Sequence, residues 1–244
     1  MNTLTQHSIR RSLILHLLPG ALGTVAYVLC APFFLARGYP PVLALLIAAG
    51  AIITPFQLGY LLWQAKRTTG SFSLSSVVDL REALPKWQYV VFPLGMVVWA
   101  AVVGGLSLVE TSLVKAWYGW LPDWVYILDV EQLKPFSQDV LVITFWVGFV
   151  LNGFIGPIVE ELYFRGHLLP RLPASGNWPP FINITLFSLY HFWTPWQFFS
   201  RLLSLLPWGY VVWQKRNIYL MMIAHCTVNI LGWLLTWSQV LGKS

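Results

Sequence analysis

The sequence predicts an all-α fold: a polytopic transmembrane helical bundle of about seven to eight helices, forming one integral membrane domain. Three observations lead there. Hydrophobic residues fill 57% of the 244 positions, and the mean hydropathy is +0.65. Charged residues are only 10% of the chain, which leaves several nearly charge-free windows of about 20 residues, the length that spans a bilayer core as helix. The 14 Trp and 10 Tyr suit interfacial anchoring. A soluble domain of this length could not hide so much apolar surface in one core. The net charge of +6 then marks cytoplasmic loops rather than a nucleic-acid partner. The lipid bilayer is the first partner expected.

Each predicted span follows from its apolar run. The first covers about Ser12–Leu35; it starts after Arg10 and Arg11 but runs too long for a signal peptide and lacks a cleavage signal. Gly38-Tyr39-Pro40-Pro41 makes a turn, and a second span covers about Val42–Gln64. A polar loop with Lys66, Arg67, Arg81 and Lys86 follows, with a short interfacial helix expected over Ser75–Leu84. A third span covers about Tyr89–Leu113 and carries Glu110 near its end. The Trp-rich connection to Gln138 holds Asp123, Asp129 and Glu131.

The fourth span starts near Asp139 and carries Glu160 and Glu161 near its far end, with a kink expected at Gly156-Pro157. A Pro- and Gly-bearing loop with Arg171 leads to a fifth span, about Phe181–Phe199. A short sixth covers about Arg201–Trp213 with Pro207 inside. After Lys215-Arg216-Asn217, a seventh covers about Ile218–Val240. Cys30 and Cys226 both fall inside apolar spans, so neither a disulfide nor a cysteine metal site is expected. The basic residues divide unevenly. Arg10, Arg11, Lys66, Arg67, Arg81, Lys86, Arg165, Arg171, Lys215 and Arg216 lie on one side, and Arg37, Lys115, Lys134, Arg201 and Lys243 on the other. That predicts seven crossings with the N-terminus cytoplasmic, in the plasma membrane if the host is prokaryotic.

Ionisable residues at membrane depth are costly, by about 2.5–3.5 kcal/mol each on insertion scales, and point to function. With this topology Glu160, His191 and His225 converge below the cytoplasmic surface. Glu161 and Arg165 are four residues apart and share a helix face, as do Phe187 and His191, and His225 and Asn229. Glu160 and Glu161 point about 100° apart, so they take different jobs. A partly desolvated carboxylate that takes a proton from water, beside an imidazole, suits hydrolysis. Zinc held by Glu160, His191 and His225 is the alternative, although the H-E-x-x-H layout is absent.

Taken in order, Glu160-Glu161-x-x-x-Arg165, Phe187-x-x-x-His191 and His225-x-x-x-Asn229 resemble the CPBP intramembrane proteases, which include CAAX prenyl endopeptidases and bacteriocin-processing or self-immunity proteins of the Abi type. The resemblance covers about residues 140–240. It implies a four-helix catalytic core in residues 139–244, preceded by N-terminal helices and loops in residues 1–138. It also implies an endopeptidase acting on a membrane-anchored peptide or protein. Glu160 would be the general base, assisted by His191. His225 and Asn229 would form the oxyanion side, and Glu161 and Arg165 would orient the site. The metal-free glutamate reading is preferred, because His225 with Asn229 looks like a donor pair.

Each residue also has a plainer reading. Glu160 and Glu161 could cap a span, His191 could belong to an aromatic belt, and His225 and Asn229 could be interhelical glue. Arg165 could be a boundary anchor. His167 is expected to be a solvated bystander and His16 a snorkelling or packed residue. Asn152 and Asn183 are candidates to line a cavity. Against the protease stands a non-catalytic immunity or scaffold protein of the same fold. A proton-relay transporter is disfavoured by the lack of paired repeats.

Overall fold

The computed structural model describes residues 5–241 apart from residues 128–129, and side chains are not described at 114 and 115. Lys243, Asp129 and the side chain of Lys115 therefore lie outside the described residues. Among the described residues eight helices follow one another: α1 (Ile9–Leu35), α2 (Pro41–Thr69), α3 (Gln88–Trp117), α4 (Val130–Leu133), α5 (Gln138–Arg171), α6 (Trp178–Tyr190), α7 (Phe198–Lys215) and α8 (Tyr219–Leu241). Among the described residues there is no strand, only an isolated bridge between Arg81 and Asn217. The chain is thus an all-α bundle. Helices α1, α2, α3, α5 and α8 include stretches long and apolar enough to cross a membrane, and the protein is an integral membrane protein.

Local chemistry sets the helix ends. Ser8 caps α1 by accepting from the Arg11 amide at 3.2 Å. Gly38 at φ 78° closes the turn after α1, and Gly70 at φ 74° ends α2, where a side chain would be strained. The first turn of α7 has no cap from its own flank. The Glu110 carboxylate of α3 supplies one, accepting from the Phe199 and Ser200 amides at 2.7 and 2.8 Å.

Helices α2 and α5 share a device. Each contains a wide turn with i→i+5 bonding, at Ala49–Ile53 and Leu151–Ile155, ending just before Pro55 and Pro157. A proline clashes with the carbonyl four residues back, here Ala51 and Gly153, and the wide turn places both of those carbonyls in loosened bonding. The proline at the expected kink, Gly156-Pro157, thus does not end α5, which continues. The helix does not stop after Glu161 but runs through a second wide turn, Glu161–Leu168, to Arg171.

Two other expectations are corrected. Ser75–Leu84 is not a helix: after a single 3₁₀ turn at Leu74–Ser76 it continues without regular structure over the end of α5, with Leu80 at φ 54°. There the Asp79 amide donates to the Gly166 carbonyl at 2.7 Å, and Asp79 pairs with Arg171 at 2.8 Å. The fifth span also stops short. Helix α6 ends at Tyr190, and His191–Gln197 continues without regular α-helix before α7. Non-helical backbone at membrane depth is tolerated where it lines a cavity, which is where this segment lies.

Without a hydrophobic drive between helices in lipid, close packing around small residues does the work. A Cβ at Gly20 would lie 2.0 Å from the Tyr190 carbonyl oxygen, and one at Gly148 would lie 2.0 Å from the Trp233 ring. The core centres on α5, where Tyr163, Phe164 and Leu168 are fully covered. The Phe164 ring packs edge-on against Phe187 and Tyr190, both at 4.9 Å. Outward on α3, Val90, Leu94, Val98 and Val102 are exposed, as a lipid-facing stripe requires.

Candidate active site

Helices α5 and α8 run antiparallel and meet along one stripe. His225, Asn229 and Trp233 recur every four residues on α8, so they share a face. Opposite them on α5 stand Glu161, Asn152 and Phe145. His225 Nδ1 donates to Glu161 Oε1 at 2.9 Å, Asn229 Nδ2 to the Asn152 carbonyl at 2.9 Å, and Trp233 Nε1 to the Phe145 carbonyl at 3.0 Å. The wide turns matter here. Carbonyls of Asn152, Phe164 and Gly166 lie within them and accept bonds from Asn229, Asn183 and Asp79.

Glu160, His191, His225 and Asn229 line one cavity of about 540 Å³. Glu161 and Arg165 do not reach it. They lie behind it as a fully buried pair, with Arg165 Nε 3.3 Å from Glu161 Oε2. The Arg165 guanidinium rests 3.9 Å above the Phe187 ring. Arg165 is therefore no boundary anchor. A buried pair of this kind adds little net stability but loses heavily if one partner is removed.

Glu160 is held from one side. Tyr190 Oη donates to Glu160 Oε1 at 3.0 Å, and Gln57 of α2 donates to Tyr190 Oη at 3.3 Å. From the other side, His225 Nε2 stands 4.0 Å from Glu160 Oε2. Because Nδ1 of His225 bonds a carboxylate, that nitrogen carries a proton, and Nε2 is the atom turned toward Glu160. His191, the residue after α6, is boxed by the rings of Phe187, Tyr190 and Trp193, each at 4.8 Å. Its Nδ1 bonds the Phe187 carbonyl at 2.8 Å, so Nδ1 carries the proton and Nε2 is an acceptor.

The structure also revises several secondary readings. His167 is not solvated: it is 2% exposed, and its Nδ1 bonds the Val77 carbonyl at 2.8 Å. His16 is packed as expected, bonded to the Ser12 carbonyl and to Asn183. Asn152 lines the cavity, whereas Asn183 does not and is spent on His16 and the Phe164 carbonyl. The amide of Asn229, assigned to the oxyanion side, is engaged by Asn152. Cys30 and Cys226 are free. Among the described residues no three His, Cys, Asp or Glu side chains form a metal-holding group. Zinc on Glu160, His191 and His225 would need those side chains to draw together.

Sequence reasoning missed Gln57, Tyr190 and Arg201, all of which line the cavity. Gln57 is an amide in the middle of an apolar run, and Arg201 a cation between two apolar stretches. By the rule that polar groups at depth mean function, each carried a signal.

Residues 142–231 match the family model described as type II CAAX prenyl endopeptidase Rce1-like. The chain is 30% identical over 154 residues to CAAX prenyl protease 2 of Arabidopsis thaliana. That match covers 61% of this chain and 46% of the relative, so the chain spans about half of the relative it matches. No solved structure matches the chain.

Proposed function

We propose, from the premise that this chain belongs to the CPBP family through its Rce1-like segment 142–231, that it is an intramembrane endopeptidase hydrolysing a membrane-anchored peptide. The observation that carries the reading is the placement of the Glu160 carboxylate in the cavity, with His225 Nε2 4.0 Å from it. At that separation an oxygen beside the pair can hydrogen-bond to both groups at about 2.8 Å each.

In this mechanism Glu160 takes a proton from water as the water attacks the scissile carbonyl, and later gives it to the leaving amine. The Tyr190 hydroxyl fixes the other carboxylate oxygen, leaving Oε2 for the water. His191 Nε2 accepts a hydrogen bond from the water's second O–H, whose hydrogen stays on the oxygen. His225, entering the reaction as an imidazolium with its second proton taken from solvent, donates a hydrogen bond from Nε2 to the oxyanion and keeps that proton throughout, with the Glu161 carboxylate stabilising the charge from behind. Arg165 holds Glu161 in place. Asn229 acts mainly through its hold on the Asn152 turn. No step requires zinc. The relative's name points to CAAX prenyl substrates, and a leader-type peptide would serve the same chemistry.

The test is cleavage of a pool of membrane-anchored peptides by protein in liposomes, comparing the wild type with Glu160→Gln, with and without a strong chelator. The expected result is activity in the wild type that resists chelator and is abolished in the variant, while the variant still inserts and folds. Loss with chelator would put a metal at Glu160, His191 and His225. Full activity in Glu160→Gln would remove the general-base assignment. A wild type that cleaves nothing in the pool would favour the non-catalytic membrane protein.

A further inference from the structure

Arg201 stands apart from the machinery described so far. It lies in the first turn of α7, half-buried, and lines the same cavity as Glu160. A cation in a helix's first turn opposes the helix dipole, and one at membrane depth is costly. The placement therefore needs a reason. Among the residues lining the cavity, Glu160 is the sole Asp or Glu and Arg201 the sole Lys or Arg.

Part of the reason is structural. Arg201 Nη2 donates to Thr194 Oγ1 at 2.8 Å and to Gln197 Oε1 at 3.2 Å, and Nη1 reaches the Ser188 carbonyl at 3.4 Å. These bonds straddle His191 and hold its segment. They use three of the five N–H donors a guanidinium carries, and every partner is neutral. Glu110, the acid nearest along α3, is committed to the α7 amides. Among the described residues the guanidinium thus faces the cavity without a salt bridge.

We propose that Arg201 is a specificity-determining residue that binds a carboxylate of the peptide substrate within the cavity. The inference rests on the endopeptidase reading and adds to it what the substrate must carry. A guanidinium grips a carboxylate by paired N–H···O bonds, and in a water-poor cavity that grip discriminates strongly against the neutral analogue. The carboxylate is either the peptide's C-terminus or an acidic side chain near the scissile bond.

The experiment measures binding, so that it stands apart from catalysis. Full-length protein carrying Glu160→Gln is reconstituted in nanodiscs and titrated with three acylated, fluorescein-labelled peptides of one apolar sequence. One ends in a free acid, one in an amide, and one in an amide with an Asp near its C-terminus. Expected is about thirty-fold or tighter binding of a carboxylate-bearing peptide over the plain amide. Adding Arg201→Gln should erase that ratio while leaving amide binding nearly unchanged, and Arg201→Lys should restore part of it. Free acid favoured alone identifies a C-terminal carboxylate; the Asp peptide favoured alone identifies a side chain.

Thr194→Val serves as the second variant, since it cuts a bond of the clamp and keeps the cation. It should preserve the ratio. Equal binding of all three peptides, or a ratio that survives Arg201→Gln, overturns the proposal. So does an equal loss for acid and amide in both Arg201→Gln and Thr194→Val, which would leave Arg201 a structural clamp. Loss of cleavage in the wild type with the binding ratio intact would sink the endopeptidase reading and not this one.

Discussion

At the scale of single residues, the hydrogen bonds settle which atom of each group faces the cavity. A carbonyl or carboxylate on one imidazole nitrogen decides the role of the other. Thus His191 offers an acceptor and His225 turns Nε2 toward Glu160. The motif residues were legible in the sequence because ionisable groups are rare in apolar spans. The partners that orient them were not, since Tyr190 reads as one more aromatic beside Phe192 and Trp193 until the fold brings its hydroxyl to Glu160. That hydroxyl gives a direct prediction. Tyr190→Phe keeps the ring packing and removes two hydrogen bonds, the one to Glu160 worth about 1.5–3 kcal/mol and the one accepted from buried Gln57. The expected outcome is a fall of about ten-fold or more in kcat/KM, larger than the modest fall in unfolding temperature in detergent accounts for. Unaltered kcat/KM would mean that Glu160 holds its position without the phenol.

At the scale of elements, helix placement was legible from hydropathy, but the departures from regular helix were not. Periodicity shows a proline and predicts a kink, whereas the wide turn that absorbs it depends on partners from other helices, such as Asn229 on the Asn152 carbonyl. The signal for the early stop of α6 was masked rather than absent. Phe192 and Trp193 continue the apolar run, but Pro195 disfavours helix at the residue before it and clashes with a helical carbonyl at His191; the following chain is held by Arg201. Close helix approach is equally invisible without the partner. A methyl at Gly20 of α1 would overlap the Tyr190 carbonyl at 2.0 Å, and backbone cannot swing aside as a side chain can. Gly20→Ala should therefore cost about 1–3 kcal/mol or more, and lower activity further by displacing Tyr190 and His191. Gly59→Ala on α2 meets nothing within 4 Å and should be neutral or slightly stabilising. Thermal unfolding of the two variants side by side checks this. Equal midpoints would show that α1 and α6 can separate freely.

At the scale of the whole molecule, the cavity has a direction. On α8 its lining runs from His225 to Thr236, and on α2 from Gln57 back to Val42, about 16 and 22 Å along the helix axes. Both lead from Glu160 toward the end where α2 and α5 begin, and Ser107 of α3 and Ile127 line that part. On the other side of Glu160 the way is filled. Tyr163, Phe164, Leu168, Val77 and Val78 are all at most 3% exposed. Arg11, Lys66, Arg67, Lys215 and Arg216 lie toward that filled end, and basic loops mark the cytoplasm. Arg165 and Arg171, counted with them in the sequence, are buried in the core and carry no topological weight. The packing therefore predicts that a peptide reaches Glu160 from the end opposite the basic residues. With Cys30 and Cys226 replaced by Ser, a Ser107→Cys protein in sealed, oriented vesicles should react with a membrane-impermeant maleimide added on the side away from Lys66 and Arg67. A Val78→Cys protein should resist the reagent from both sides. If Ser107→Cys reacts only from the basic side, substrate must enter through the segment packed over α5. The residues of that plug, Asp79 and Arg171 first, would then be the gate.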